Sequence, residues 1–138
     1  MKILITGICG FIGHHLAEHV FLTTDWEIVG VDRLSYASNG FNRLRDAGFL
    51  DSTRLKLFST DFTQPLSCGL TKEIGEVDYI LHLGAETHVD NSIKDPMSFV
   101  MANVVGTAHI LNYARECNNL KKMVYFSTDE VFGPASTG

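Results

Sequence analysis

The sequence predicts an α/β fold of the doubly wound (Rossmann) type: a parallel sheet in the order 3-2-1-4-5 with helices on both faces. Three observations carry that expectation. Short apolar runs alternate with helical stretches from the first residues onward. Most of these runs are apolar at consecutive rather than alternate positions, as strands are when helices cover both faces of a sheet. The first run also hands over to a helix through TGICGFIG, a turn whose glycines, Gly7, Gly10 and Gly13, recur every three residues.

Taken in order, the candidate strands are KILIT (2–6), EIVGV (27–31), RLKLF (54–58), VDYILHL (77–83) and KMVYFS (122–127). The third alternates Arg54 and Lys56 with Leu55 and Leu57, the pattern of an edge strand. Helical spacing runs from Phe11 to Leu22 and from Pro96 to Cys117. In the second stretch Phe99, Ala102, Val105, Ala108 and Leu111 form a stripe at intervals of three, Pro96 suits a first turn and Asp95 an N-cap. A shorter helix is expected from Asn42 to Ala47, closed by Gly48. Gly133 to Gly138 reads as the beginning of a loop. No repeat or linker divides the chain, so residues 1–138 are read as one domain.

Composition narrows the function. The net charge is −5, with Lys and Arg scattered rather than clustered, so no basic stripe is available for nucleic acid. No apolar run approaches the ~20 residues that span a bilayer, and Met1-Lys2 leads straight into a strand rather than a signal peptide. No membrane association and a cytoplasmic location are expected. Cys9, Cys68 and Cys117 are odd in number and far apart, and are read as reduced thiols.

The glycine turn carries the first chemistry. Glycines let the backbone turn tightly and approach a diphosphate, while unpaired amides at the helix start point at the anion. Asp32 ends the second strand nineteen residues past Gly13. A carboxylate there accepts both hydroxyls of an adenosine ribose and repels a 2'-phosphate, favouring NAD over NADP. Arg33 is discordant, because a cation beside the acid would tolerate that phosphate.

Gly7, Gly10, Gly13 and Asp32 together resemble the extended short-chain dehydrogenase/reductase superfamily. VDRLSYASN (31–39), LHLGAETHVDNSI (81–93) and FSTDEVFG (126–133) narrow the resemblance to the nucleotide-sugar 4,6-dehydratases, above all those acting on dTDP-glucose. The resemblance implies an NAD site in which Phe11 and Ile12 lie under the diphosphate, and Asp32, Arg33, Leu34 and Ser35 surround the ribose. It further places Asp61 and Phe62 at the adenine, and Leu83, Gly84, Ala85 and Thr87 on the nicotinamide side, Thr87 also reaching the sugar. At the last strand it assigns Thr128 to the hexose 4-hydroxyl, Glu130 to removal of the C5 proton and Asp129 to protonation of the departing 6-hydroxyl. One acid must then be protonated while its neighbour is ionised, a split expected of two carboxylates crowded into a partly desolvated cleft. A 4-epimerase of the same superfamily needs no such pair.

The superfamily's Tyr-x-x-x-Lys pair is missing: Tyr36, Tyr79, Tyr113 and Tyr125 have no lysine four residues on. The resemblance therefore implies the N-terminal part of a longer enzyme, inactive by itself; the alternatives are a nucleotide-sugar 4-epimerase or, were the chain complete, a non-catalytic NAD-binding module. It also implies a homodimer formed through helix 96–117. Four positions depart from the family pattern, with Phe132 for a tyrosine, Gly84 for an alanine, Asn91 for an arginine and Ala102 for a cofactor-touching threonine. His15-x-x-Glu18-His19 has the spacing of an inverted zinc-protease motif, but it lies on the helix that must meet the diphosphate and lacks a third ligand; no metal is expected. His82 is read as a core histidine, His88 as a neighbour of the site, and Met97 and Met101 as packing.

Overall fold

The structure, a computed structural model, describes residues 1–133; the expected terminal loop lies, from residue 134 on, outside the described residues. Five strands, β1 (Lys2–Thr6), β2 (Glu27–Asp32), β3 (Leu55–Ser59), β4 (Tyr79–His82) and β5 (Lys122–Tyr125), form a parallel sheet in the order β3-β2-β1-β4-β5. That is the predicted order, with β3 at the edge. Six helices follow the strands: α1 (Phe11–Thr23), α2 (Asn42–Asp46), α3 (Cys68–Ile74), α4 (Val89–Lys94), α5 (Pro96–Val100) and α6 (Thr107–Glu116).

The consecutive apolar residues of β1 are divided between two cores. Ile3 and Ile5 pack on one face with Ile8, Ile28, Leu44 and Phe49; Leu4 packs on the other with Val29, Val31, Ile74, Ile80 and Ile110. Each such side chain contributes about 1.5–3 kcal/mol by leaving water, so a strand filled on both faces is doubly anchored. β5 departs from this pattern, leaving Val124, Tyr125 and the following Phe126 exposed.

Two helices were not foreseen. α3 and α4 span seven and six residues, too short for a 3.6-residue period to register. Local signals were nonetheless present: the Ser67 hydroxyl caps α3 by accepting from Leu70 N at 3.2 Å, and Gly75 ends it at φ +70°. Asp95 caps α5 as expected, accepting from Ser98 N at 3.3 Å ahead of Pro96.

The predicted stripe in 96–117 is corrected. Between α5 and α6 the backbone widens into a π-helical turn, Met101–Gly106, and the buried positions are Ala102, Gly106, Ile110 and Tyr113. Ala108 and Leu111 face solvent. Steps of three fall about 60° short of a full turn each time, so a stripe of threes spirals off the packed face. The wide turn instead supplies successive steps of four.

Candidate cofactor and active site

The C-terminal ends of β1, β2 and β4 open onto a crevice lined by Gly7, Gly10, Asp32, Arg33, Ser35, Ala37, Ser38, Phe62, Leu83, Gly84, Ala85 and Ala102. Gly7 has φ +70°, and a Cβ there would stand 2.8 Å from Gly84 N, so this wall admits no side chain. Gly10 is the N-cap of α1 without a side-chain cap, leaving first-turn amides free for an anion. Gly13 does not line the crevice but packs the helix start against the turn, its Cα side facing Gly7 O too closely for a methyl.

Asp32 is 7% exposed and held by two backbone amides: Oδ2 accepts from Cys9 N at 2.9 Å and Oδ1 from Leu34 N at 2.8 Å. Each oxygen keeps a lone pair for a further donor, which is the requirement for gripping a vicinal diol. Leu34 pays for this anchorage with φ 55°, an uncommon conformation for a branched residue, and its side chain turns into the core instead of the crevice. The Cys9 thiol behind the turn is buried, and burial first, then Asp32, push its pKa up to about 12 despite Arg43. It stays protonated and unreactive.

Phe62, 4% exposed, forms the crevice floor between two backbones. A Cβ on Gly84 would lie 2.4 Å from its Cζ, and one on Gly106 would lie 2.7 Å from its Cδ2. The Gly84 departure thus has a structural reason: an alanine there would force this phenylalanine ring to move. The Ala102 departure sits on the same wall, where its methyl lines the crevice.

Other predicted residues stand apart from the crevice. Phe11, 70% exposed, and Ile12 project from the start of α1 into solvent. Asp61 makes a local turn, accepting from Thr63 N at 2.9 Å, with Arg33 Nη1 3.9 Å away. Thr87 is exposed, as is His88, whose carbonyl starts α4. His15 and Glu18 form an exposed pair at 3.8 Å, and among the described residues no cluster of three metal-ligating side chains occurs.

His82, at 0% exposure, is the expected core histidine. Thr107 Oγ1 donates to Asn103 O at 2.7 Å and so accepts from His82 Nε2 at 3.0 Å; Thr6 Oγ1 accepts from Gly84 N at 3.2 Å and so donates to Nδ1 at 2.6 Å. This assignment fixes the neutral Nε2–H imidazole, and burial lowers its pKa to about 4.

β5 ends level with β4, Tyr125 facing His82, and Phe126 N donates to His82 O at 3.1 Å. The next residues, Thr128, Asp129 and Glu130, are therefore delivered to the crevice end of the sheet. Thr128 caps a 3₁₀ turn, Asp129–Phe132, accepting from Glu130 N and donating to Asp129 Oδ1, both at 3.2 Å. All three are exposed, and the described residues place no wall over them.

Sequence reasoning missed Ala37, Ser38, Arg43, Glu86 and Asn103. Ser38 folds the β2–α2 loop by donating to Ser35 O at 2.8 Å, and Arg43 Nη1 holds Cys9 O and Ala37 O at 2.9 and 3.0 Å. The Ser-Tyr-Ala-Ser-Asn-Gly run was a readable turn signal; the role of Arg43 depends on tertiary placement that no local pattern encodes. Among the described residues no helix is long and apolar enough to cross a membrane.

The family model described as GDP-mannose 4,6 dehydratase matches residues 4–138. The dTDP-glucose 4,6-dehydratase of Shigella flexneri is 38% identical over 141 residues, covering 96% of this chain and 38% of the relative. A solved dTDP-glucose 4,6-dehydratase from Streptomyces venezuelae with NAD bound superposes with a TM-score of 0.85 at 32% identity, covering 100% of this chain and 42% of its own. A Bacillus cereus UDP-glucuronic acid 4-epimerase in complex with UDP-glucuronic acid and NAD gives 0.84 at 28% identity, covering 99% and 43%. The chain thus spans about two fifths of the length of these proteins.

Proposed function

This chain belongs to the GDP-mannose 4,6 dehydratase family, and from that premise we propose that it forms the NAD-binding part of a nucleotide-sugar 4,6-dehydratase acting on dTDP-glucose. The observation that carries the reading is the delivery of Thr128, Asp129 and Glu130 to the same sheet end as the dinucleotide crevice. When bound, NAD supplies reversible two-electron redox capacity. Of the other roles this chain's residues take these: the Gly7–Gly13 turn takes the diphosphate and Asp32 the adenosine ribose. Thr128 Oγ1 orients a sugar hydroxyl, Glu130 removes the C5 proton and Asp129 protonates the departing hydroxyl.

That division of labour requires water to be excluded from the acids. Apolar side chains gather around them, with Phe126, Val131 and Phe132 all exposed and Phe132 at 88%. We assign the activity to a polypeptide in which further chain covers this face. A homodimer through the outer face of the helical stretch 96–117, where Met97, Val100, Val104 and Leu111 are exposed, belongs to the same proposal.

The near-equal superposition on an epimerase supports a second reading, 4-epimerisation. Elimination needs an acid and a base side by side; inversion at C4 does not. In a polypeptide extending residues 1–138 to the length of the relatives, Glu130→Gln is expected to slow formation of 4-keto-6-deoxy product by about 10²–10⁴ and to stop solvent deuterium exchange at C5. NAD affinity should persist. A wild-type protein that only inverts C4 would establish the epimerase reading instead.

A further inference from the structure

A cluster of polar side chains at the crevice rim is explained neither by the glycine turn nor by Asp32. Arg33 is the sole Lys or Arg among the crevice-lining residues, and it follows the acid that faces the ribose. A 2'-phosphate would need it. Its Nη2, however, is bonded to Glu86 Oε1 from the opposite lip, in a pair whose side chains are only 29% and 10% exposed. Asp61 Oδ2 stands 3.9 Å from Nη1.

Glu86 is itself fixed from three sides. Tyr36 Oη donates to Oε2 at 3.4 Å and accepts from Asn91 Nδ2 at 3.2 Å. Asn103, on the π-helical turn, brackets the Glu86 backbone, accepting from its N at 2.8 Å and donating to its O at 2.9 Å. The β2–α2 loop, the β4–α4 loop and the wide helical turn together hold one carboxylate against one guanidinium.

We infer that Glu86 is a positioning residue that sets cofactor choice: by holding Arg33 it withholds the cation that a 2'-phosphate would require, so the crevice takes the dinucleotide with a free 2'-hydroxyl. The inference rests on the NAD reading above. With Arg33 held between Asp61 and Glu86 and Asp32 ionised on the ribose side, a phosphate dianion would enter an uncompensated negative field. Arg33 does not swing free, because separating a largely buried pair strands a charge. Arg43, behind the glycine turn, points into the carbonyls of Cys9, Ala37 and Ser38.

Titration calorimetry of this chain with NAD and with NADP tests the inference. Wild type is expected to prefer NAD. Glu86→Gln should raise NADP affinity about tenfold or more, the worth of one charge-assisted hydrogen bond, with the gain eroding as salt rises. Adding Arg33→Gln should abolish it. If the gain survives in the double variant, Glu86 acts only by repulsion and the inference falls; it falls equally if Glu86→Gln leaves the NADP-to-NAD ratio unchanged. Should that variant not fold, Glu86→Asp keeps the charge and stops one methylene short of Arg33, and its ratio is read in the same way. A wild type that binds neither dinucleotide would sink the cofactor reading, and this inference with it; one that binds NAD with a ratio insensitive to Glu86 sinks this inference alone.

Discussion

Replacing Gly84 by alanine would set a methyl 2.4 Å from Phe62 Cζ, 2.6 Å from Cε1 and 3.3 Å from Thr6 Oγ1. Gly106 stands close along its other edge, where any Cβ would fall 2.7 and 2.9 Å from Cδ2 and Cε2, so the ring can yield only towards the crevice it lines. Overpacking of a core typically costs 1–3 kcal/mol; a ring crowded along opposite edges belongs in the upper part, about 2–3 kcal/mol. For a chain of 138 residues, the usual unfolding entropy per residue converts this into a fall in Tm of about 7–10 °C. Thermal unfolding of Gly84→Ala, Phe62→Leu and the double variant forms a closed cycle. The leucine alone loses packing, but in the presence of Ala it relieves the clash, so a favourable coupling of about 1–2 kcal/mol is expected. A Tm for Gly84→Ala within about 2 °C of wild type, well under the 7 °C expected from that conversion, would refute the reasoning. So would strict additivity.

Two further outcomes follow from the site. Asp32→Ala should weaken NAD binding about tenfold to a hundredfold through lost charge-assisted hydrogen bonds, and should also lower stability, because Cys9 N and Leu34 N lose their acceptor; calorimetry alongside urea unfolding measures both, and unchanged NAD affinity would remove Asp32 from the site. His82, with a pKa lowered to about 4 in the fold, takes up a proton more readily once unfolded, so its contribution is complete above its ordinary pKa near 6.5 and is lost as pH falls from there towards 4. Up to about 3 kcal/mol is at stake; urea midpoints of wild type and His82→Gln across that range should converge at the acid end, and parallel curves would count against the buried neutral imidazole.

The sheet was legible because its signal is local and redundant. Five apolar runs, a glycine turn and one edge pattern all require the same strand order. The convergence of Asp32, Gly7 and Gly10 on one crevice was legible for a similar reason: a tight strand-to-helix turn restricts residue type at fixed spacing. α3 and α4 escaped because one or two turns give no period. Glu86 escaped differently. Its partners, Arg33, Tyr36 and Asn103, lie 53, 50 and 17 residues away, and only the folded sheet brings the two loops together. That Thr128–Glu130 follow the fifth strand was legible, whereas what covers them was not, since solvent exclusion is a property of what packs against a strand end and not of the strand.

The widened turn between α5 and α6 has a consequence for how this stretch tolerates changes in length. A π-helical turn holds about one residue more than the α-helical turn it replaces, so the segments on either side keep separate phases. Asn103 is timed to meet Glu86, whereas Ile110 and Tyr113 are timed to meet the sheet. Deleting one residue between Met101 and Gly106 would restore an unbroken α-helix yet rotate one segment by about 100° against the other. A shortening that looks conservative in sequence would then keep the helix and lose one of its two appointments, either the grip on the β4–α4 loop or the seat on the core.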